Sequence, residues 1–225
     1  MKEQRWKSVL VHSAPTIWGL RPANIFTLKK EERTDFEEEL PELERLLRAK
    51  CVLLRKIHES ETAIQIMVYR PAALSAQLRK KGCGAMLRQC GYPAVPDDGD
   101  DMDAILQTLS ERMKAQNGFP HEIGLLLGYP PEDVRGFVRH KGKNYKYNGY
   151  WKVYGDLEGC KRCFAAYDDC REHAARLLRQ QDDAAKRTAL EEWEYEQNSG
   201  NLLERNREHG KNGERGMGRA ASGGR

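Results

Sequence analysis

Hydrophobic and polar positions along the chain fall into short blocks that switch between extended and helical periodicity. Trp6 to His12 predicts a first strand, because Val9-Leu10-Val11 is a short apolar run with polar flanks, ended by Ser13-Ala14-Pro15. Pro22 interrupts again before a second strand, Asn24 to Leu28. Thr34 is placed to cap a helix from Asp35 to Ala49, whose Phe36, Leu40, Leu43, Leu46 and Leu47 share one face. Pro41 is expected to kink or restart that helix. Two β-rich runs, Val52 to Ile57 and Ala63 to Tyr69, are joined by His58-Glu59-Ser60-Glu61 and predict an antiparallel hairpin.

The second half reads as mostly helical. Pro71 starts a helix to about Lys80, and Gly82-Cys83-Gly84 breaks it before a continuation to Cys90. Asp97 to Asp103 reads as an acidic loop leading into a helix over Met102 to Ala115. Pro120 suits a first helical position, with that helix ending at Gly128, and Pro131 starts another through His140. Asn148-Gly149 predicts a tight turn before a strand from Tyr150 to Tyr154. A long helix follows from Asp156 toward Arg179, with a charged helical stretch to Glu196. The pattern predicts an α+β fold: a small mixed sheet containing an antiparallel hairpin, helices packed on it, a long C-terminal helix and a disordered tail.

Composition sharpens the boundaries. The 225 residues suit one domain with additions, and no apolar run approaches the roughly 18 residues of a membrane span. No signal peptide opens the chain, so a cytoplasmic protein without a membrane partner is expected. Net charge is only +4, and +3 of it sits in Asn198–Arg225, with six basic and three acidic residues and seven glycines. That composition predicts a disordered tail over 198–225, a charged helical extension over 181–197 and one globular domain over 5–180. Inside the domain, Arg135, Arg139, Lys141, Lys143, Lys146 and Lys152 are interleaved with Tyr145, Tyr147, Tyr150, Trp151 and Tyr154, with no acid among them.

Several chemistries compete for these residues. Cys160-x2-Cys163 and Cys170-x2-His173 have paired zinc-like spacing, but one helix over 160–173 would set its ends about 20 Å apart. No metal site is assigned, and reduced thiols are expected. The aspartates of 97–103 have neither a glycine nor a glutamate at the positions a calcium loop requires. Ile123-Gly124, Gly128 and Val134 are spaced as in helix-turn-helix proteins, although Glu132 and Asp133 would sit near DNA phosphates and oppose binding. His12 and Ser13 fall at a predicted strand end, a common ligand position in open sheets, with Arg21, Asn24 and Arg70 at turns nearby. His121, in a predicted first helical turn, is a candidate base for a Ser13 nucleophile, oriented by Asn144 or Glu122.

Taken in order, several motifs resemble the bacterial family of domain of unknown function 3793. They are His12-Ser13-Ala14-Pro15-Thr16, Gly19 to Phe26, Tyr69-Arg70-Pro71, Gly91-Tyr92-Pro93, Phe119 to Gly124, Leu127 to Pro130, Asp133-Val134, Gly136-Phe137 and Gly149 to Tyr154. The resemblance spans about 5–175 and implies one domain in a bacterial cytosolic setting, with no activity or cofactor attached. The family pattern often carries Cys where this chain has Ser13 and Lys where it has Arg21. A thiol nucleophile or thiolate ligand at that position is therefore absent here.

These readings converge on a domain that binds a small anionic or phosphate-bearing molecule. Its expected catalytic pair is His121 with Ser13, and its expected ligand-binding set is His12, Arg21, Asn24, Arg70, Lys143, Asn144, Trp151 and Lys152. The cations would hold anionic oxygens and Trp151 would supply a stacking wall. The alternatives are nucleic-acid binding through 121–154, and a protein interaction through the C-terminal helix.

Overall fold

A computed structural model describes residues 5–96, 102–116 and 118–179. The predicted extension 181–197, the tail 198–225 and most of the acidic loop lie outside the described residues.

The fold is α+β. Strands β1 (Ala23–Lys29), β2 (Leu53–Glu59) and β3 (Ala63–Tyr69) form one sheet in the order β1-β3-β2. β3 pairs antiparallel with both neighbours, with Ala23 and Leu53 each opposite Tyr69. A register shift between Lys56 and His58 marks a bulge in β2.

The pleat of β3 explains why it is central. Ile64, Ile66 and Val68 point into one apolar cluster, while Met67 and Tyr69 point into another. Helices α1 (Arg5–Ile17), α2 (Arg33–Ala49) and α8 (Leu157–Arg179) supply the first cluster. The second is covered by α3 (Pro71–Arg79), α4 (Cys83–Gln89), α5 (Asp103–Gln116), α6 (Ile123–Leu126) and α7 (Pro131–His140). A third cluster, Trp151, Val153, Cys160, Cys163, Phe164 and Tyr167, joins α8 to a small hairpin of β4 (Tyr147–Asn148) and β5 (Lys152–Val153).

Several expectations are corrected. Trp6–His12 is not a strand: it lies in α1, which buries Val9, Leu10, Ser13, Ala14 and Ile17 at helical spacing. A short apolar run fits strand and buried helix equally, and packing against α8 and the sheet decides for helix. Without that strand the sheet is antiparallel throughout rather than mixed. α2 runs as one element through Pro41, so it does not restart there. Pro120 does not start a helix, since Pro120 to Glu122 form a turn before the four-residue α6. The strand expected over Tyr150–Tyr154 shrinks to Lys152–Val153, because the chain turns through Gly149 to Trp151 and Gly149 N–H donates to Trp151 C=O at 3.1 Å.

α8 runs unbroken through Cys160, Cys163, Cys170 and His173. Burial raises the three thiols there, Cys170 to about 12. Cys170, Ala174 and Leu177 face the core beside α1, so this stretch of α8 spends its apolar face inside the molecule.

Candidate functional site

A cavity of about 450 Å³ lies between the segment 119–137 and the hairpin residues 148–152. Its first wall begins at Phe119 and Pro120. The turn there is anchored by Glu122, a buried carboxylate paired with Arg112 of α5 and accepting from the Tyr92 hydroxyl at 3.4 Å. Glu122 is therefore committed to the scaffold and does not orient His121. The wall continues through Gly124, where a Cβ would meet the Tyr129 ring at 2.8 Å and Val134 at 3.0 Å. Only a residue without Cβ lets Tyr129 lie against α6.

The second wall is fixed by one acid. Asp133, in the first turn of α7, is 2% exposed. Its carboxylate accepts from Trp151 Nε1 and from the backbone N–H groups of Tyr154 and Gly155, each at 2.7 Å. The Cys160 thiol approaches it at 3.6 Å. Charge-assisted hydrogen bonds of this kind are the strong ones, and here they clamp the hairpin onto α7. Trp151 then stacks on Tyr129 with centroids 4.7 Å apart and meets Phe164 edge-on at 4.5 Å.

Two basic groups complete the lining. His121 is exposed and lies edge-on to Phe137, centroid to centroid 5.1 Å. Lys152 Nζ donates to Gly142 C=O at 2.8 Å and stands 5.8 Å from the Phe137 centroid and 4.9 Å from that of Tyr145. Among the described lining residues Asp133 is the sole acid, and its oxygens are already engaged. The resulting surface is aromatic, with a lysine and an imidazole as its basic groups.

The predicted site residues divide into three places. His121, Trp151 and Lys152 line this cavity. Lys143 and Asn144 are exposed in the loop between α7 and β4, with Asn144 at φ 57°, and neither lines it. Ser13 is completely buried on α1 and its Oγ accepts from Asn24 Nδ2 at 3.3 Å, so the structure does not bring Ser13 and His121 into one cavity. His12 sits on the outer side of α1, its Nδ1 3.1 Å from an Arg171 guanidinium nitrogen. Burial and then the Arg171 charge lower its pKa. Arg70 donates to Ile17 C=O at 2.8 Å and Arg21 to Leu127 C=O at 3.0 Å, so both tie down chain turns around 17–22.

A family model for proteins of unknown function, DUF3793, matches residues 9–188. The chain belongs to the DUF3793 family. No curated protein and no solved structure matches it. The DUF3793 match contains both walls of the cavity and all ten predicted site residues, from His12 to Lys152.

Sequence reasoning missed Tyr129, Phe137 and Asp133. Asp133, expected from the sequence to face DNA phosphates, turns inward instead. The available signal was Trp151: a buried indole N–H requires an acceptor, and an acid in the first turn of a neighbouring helix supplies one. Among the described residues, no group of three or more His, Cys, Asp or Glu is placed to hold a metal ion. No described helix is long and apolar enough to cross a membrane.

Proposed function

We propose that this DUF3793 protein binds a small planar anion, an aromatic carboxylate or phosphate ester, in the cavity between α7 and the β4–β5 hairpin. The observation that carries this reading is the lining itself. Tyr129, Phe137 and Trp151 offer ring surface, Lys152 offers a positive charge, and the one lining acid is consumed by three N–H donors. A cavity of about 450 Å³ lies within the range of small-molecule sites, about 300–1,000 Å³. Within this reading His121 is the group positioned to exchange a proton with the bound molecule, and Ser13 has no part in it.

Fluorescence titration with anilinonaphthalene sulfonate, an aromatic anion, tests the proposal on the full chain. Saturable 1:1 binding is expected, weakened about tenfold or more in Lys152→Met by loss of a charge-assisted contact. Absence of saturable binding, or a Lys152→Met variant with unchanged affinity, overturns it.

A second reading rests on a different surface. Tyr145 and Tyr147 are 43% and 42% exposed, and Arg139, Lys141, Lys143 and Lys146 around them are exposed as well. Exposed rings among cations suit a single-stranded nucleic acid. That reading requires affinity for an oligonucleotide that falls steeply with salt and drops when the three lysines are neutralised.

A further inference from the structure

Among the described residues, Arg21 is a buried cation with no anion beside it. It is 6% exposed, in the turn between α1 and β1. One guanidinium nitrogen donates to Leu127 C=O at 3.0 Å, and Cζ stands 5.9 Å and 5.5 Å from the ring centroids of Tyr129 and Tyr167. Its Nε is buried with no hydrogen-bond partner. Among the described residues no carboxylate pairs with it. Arginine cannot shed its proton, so a guanidinium in such surroundings is costly unless something negative compensates it. One carbonyl and two ring faces compensate only part of a full charge.

Beside it lies a cleft of about 190 Å³, separate in its lining from the larger cavity. Arg21 and Pro22 form one side and Gln77 and Lys80 the other, with Gly128 and Tyr167 closing it. No Asp or Glu is among its described lining residues. Ala73, Ala76, Gln77 and Lys80 are one face of α3 and its C-cap, so the cleft runs along the flank of that helix. Small alanines on that flank leave the space open. The opposite side is built tightly: Gly128 has φ 84°, and a Cβ there would come 2.6 Å from Pro22 Cδ. This close approach presses the 127–128 turn onto the 21–22 turn and holds the Leu127 carbonyl against Arg21.

We propose that this cleft is an oxyanion site, taking phosphate either as the free ion or as the terminal group of a phosphorylated metabolite. Arg21 supplies the buried charge that selects an anion, and Lys80 supplies a second cation at the cleft. The inference is independent of the ligand proposed for the larger cavity, because the two linings share no residue.

The test uses the full chain in phosphate-free buffer at constant ionic strength. Inorganic phosphate and glycerol phosphate are titrated by calorimetry and by thermal denaturation, with sodium chloride as the control. The expected result is a saturable heat and a rise in Tm with phosphate that chloride does not reproduce. Tighter binding of glycerol phosphate identifies a terminal phosphate, and tighter binding of the inorganic ion identifies free phosphate. Arg21 is too deeply packed to be the sole variant, so two milder ones carry the test. Lys80→Gln should weaken phosphate about tenfold. Ala76→Glu, on an exposed cleft position, should supply the missing negative charge, raising Tm without phosphate and removing the phosphate response. A response equal to that of chloride overturns the proposal, as does one unaffected by both variants. A response lost in Lys152→Met but kept in Lys80→Gln would move the phosphate to the larger cavity and overturn it equally.

Discussion

Asp133 and Trp151 meet through a single 2.7 Å hydrogen bond from indole Nε1 to carboxylate, linking residues 18 apart in the chain across the cavity wall. The same carboxylate holds the backbone of Tyr154 and Gly155. Replacing Asp133 by Ala strands three donors, the indole N–H in a buried place and the two amides in part-buried ones. Each orphan costs about 1–3 kcal/mol, so a loss of at least about 3 kcal/mol is expected, or roughly 6–12 °C in Tm. Thermal denaturation checks this, with a red shift of tryptophan emission as the hairpin lifts from α7. A Tm within a degree of wild type would contradict the clamp.

Gly124→Ala is expected to cost about 1–3 kcal/mol by overpacking against Tyr129 and Val134. Because Tyr129 also lines the cavity, the same variant should weaken the aromatic anion. Urea denaturation and the fluorescence titration together separate this from a purely global effect: binding measured well below the unfolding midpoint should still be impaired.

Ser13→Ala is expected to lose about 1 kcal/mol, the worth of an ordinary hydrogen bond between α1 and β1. Ligand affinity at the cavity should not change, since Ser13 does not line it. A loss of binding without a loss of stability would instead restore Ser13 to the functional set.

Acid should loosen the contact between α1 and α8. The pKa of His12 is lowered from 6.5 by burial and by Arg171, and His173 is lowered by burial and by Arg176. The fold therefore prefers both imidazoles neutral. Their contribution is complete above about pH 6.5 and disappears as pH falls through the lower folded values. The effect is small, because both rings retain contact with water. Urea midpoints at pH 5 and pH 7.5 should differ less in His12→Gln, which keeps a side-chain acceptor opposite Arg171 and cannot titrate. An unchanged difference would show that His12 does not contribute.

Elements whose pattern is local were legible in the sequence. The leucines of α2, the β2–β3 hairpin, Pro71 and Pro131 at helix starts, and the long α8 all follow from spacing or from proline's fixed φ. α1 was not legible, because Val9-Leu10-Val11 supports either period until its partners on α8 and the sheet are known. The site divided the same way. Trp151, Lys152 and His121 could be found as chemistry-bearing residues beside turns. Pairing His121 with Ser13 could not be judged, since it depends on which segments meet. Asp133 acquires its meaning only when the hairpin folds back on α7, and no spacing rule encodes that encounter.

The position of β3 has a consequence for how the molecule opens. Hydrogen-bonded on both edges and covered on both faces, Met67 and Val68 are 0% exposed. Their amide protons should exchange with solvent deuterium only through global unfolding, while the two-residue strands β4 and β5, a hairpin outside that sheet, should open at a lower free energy. Exchange rates at Val68 and Val153 would then read, in a single experiment, the stability of the scaffold and that of the cavity wall it carries.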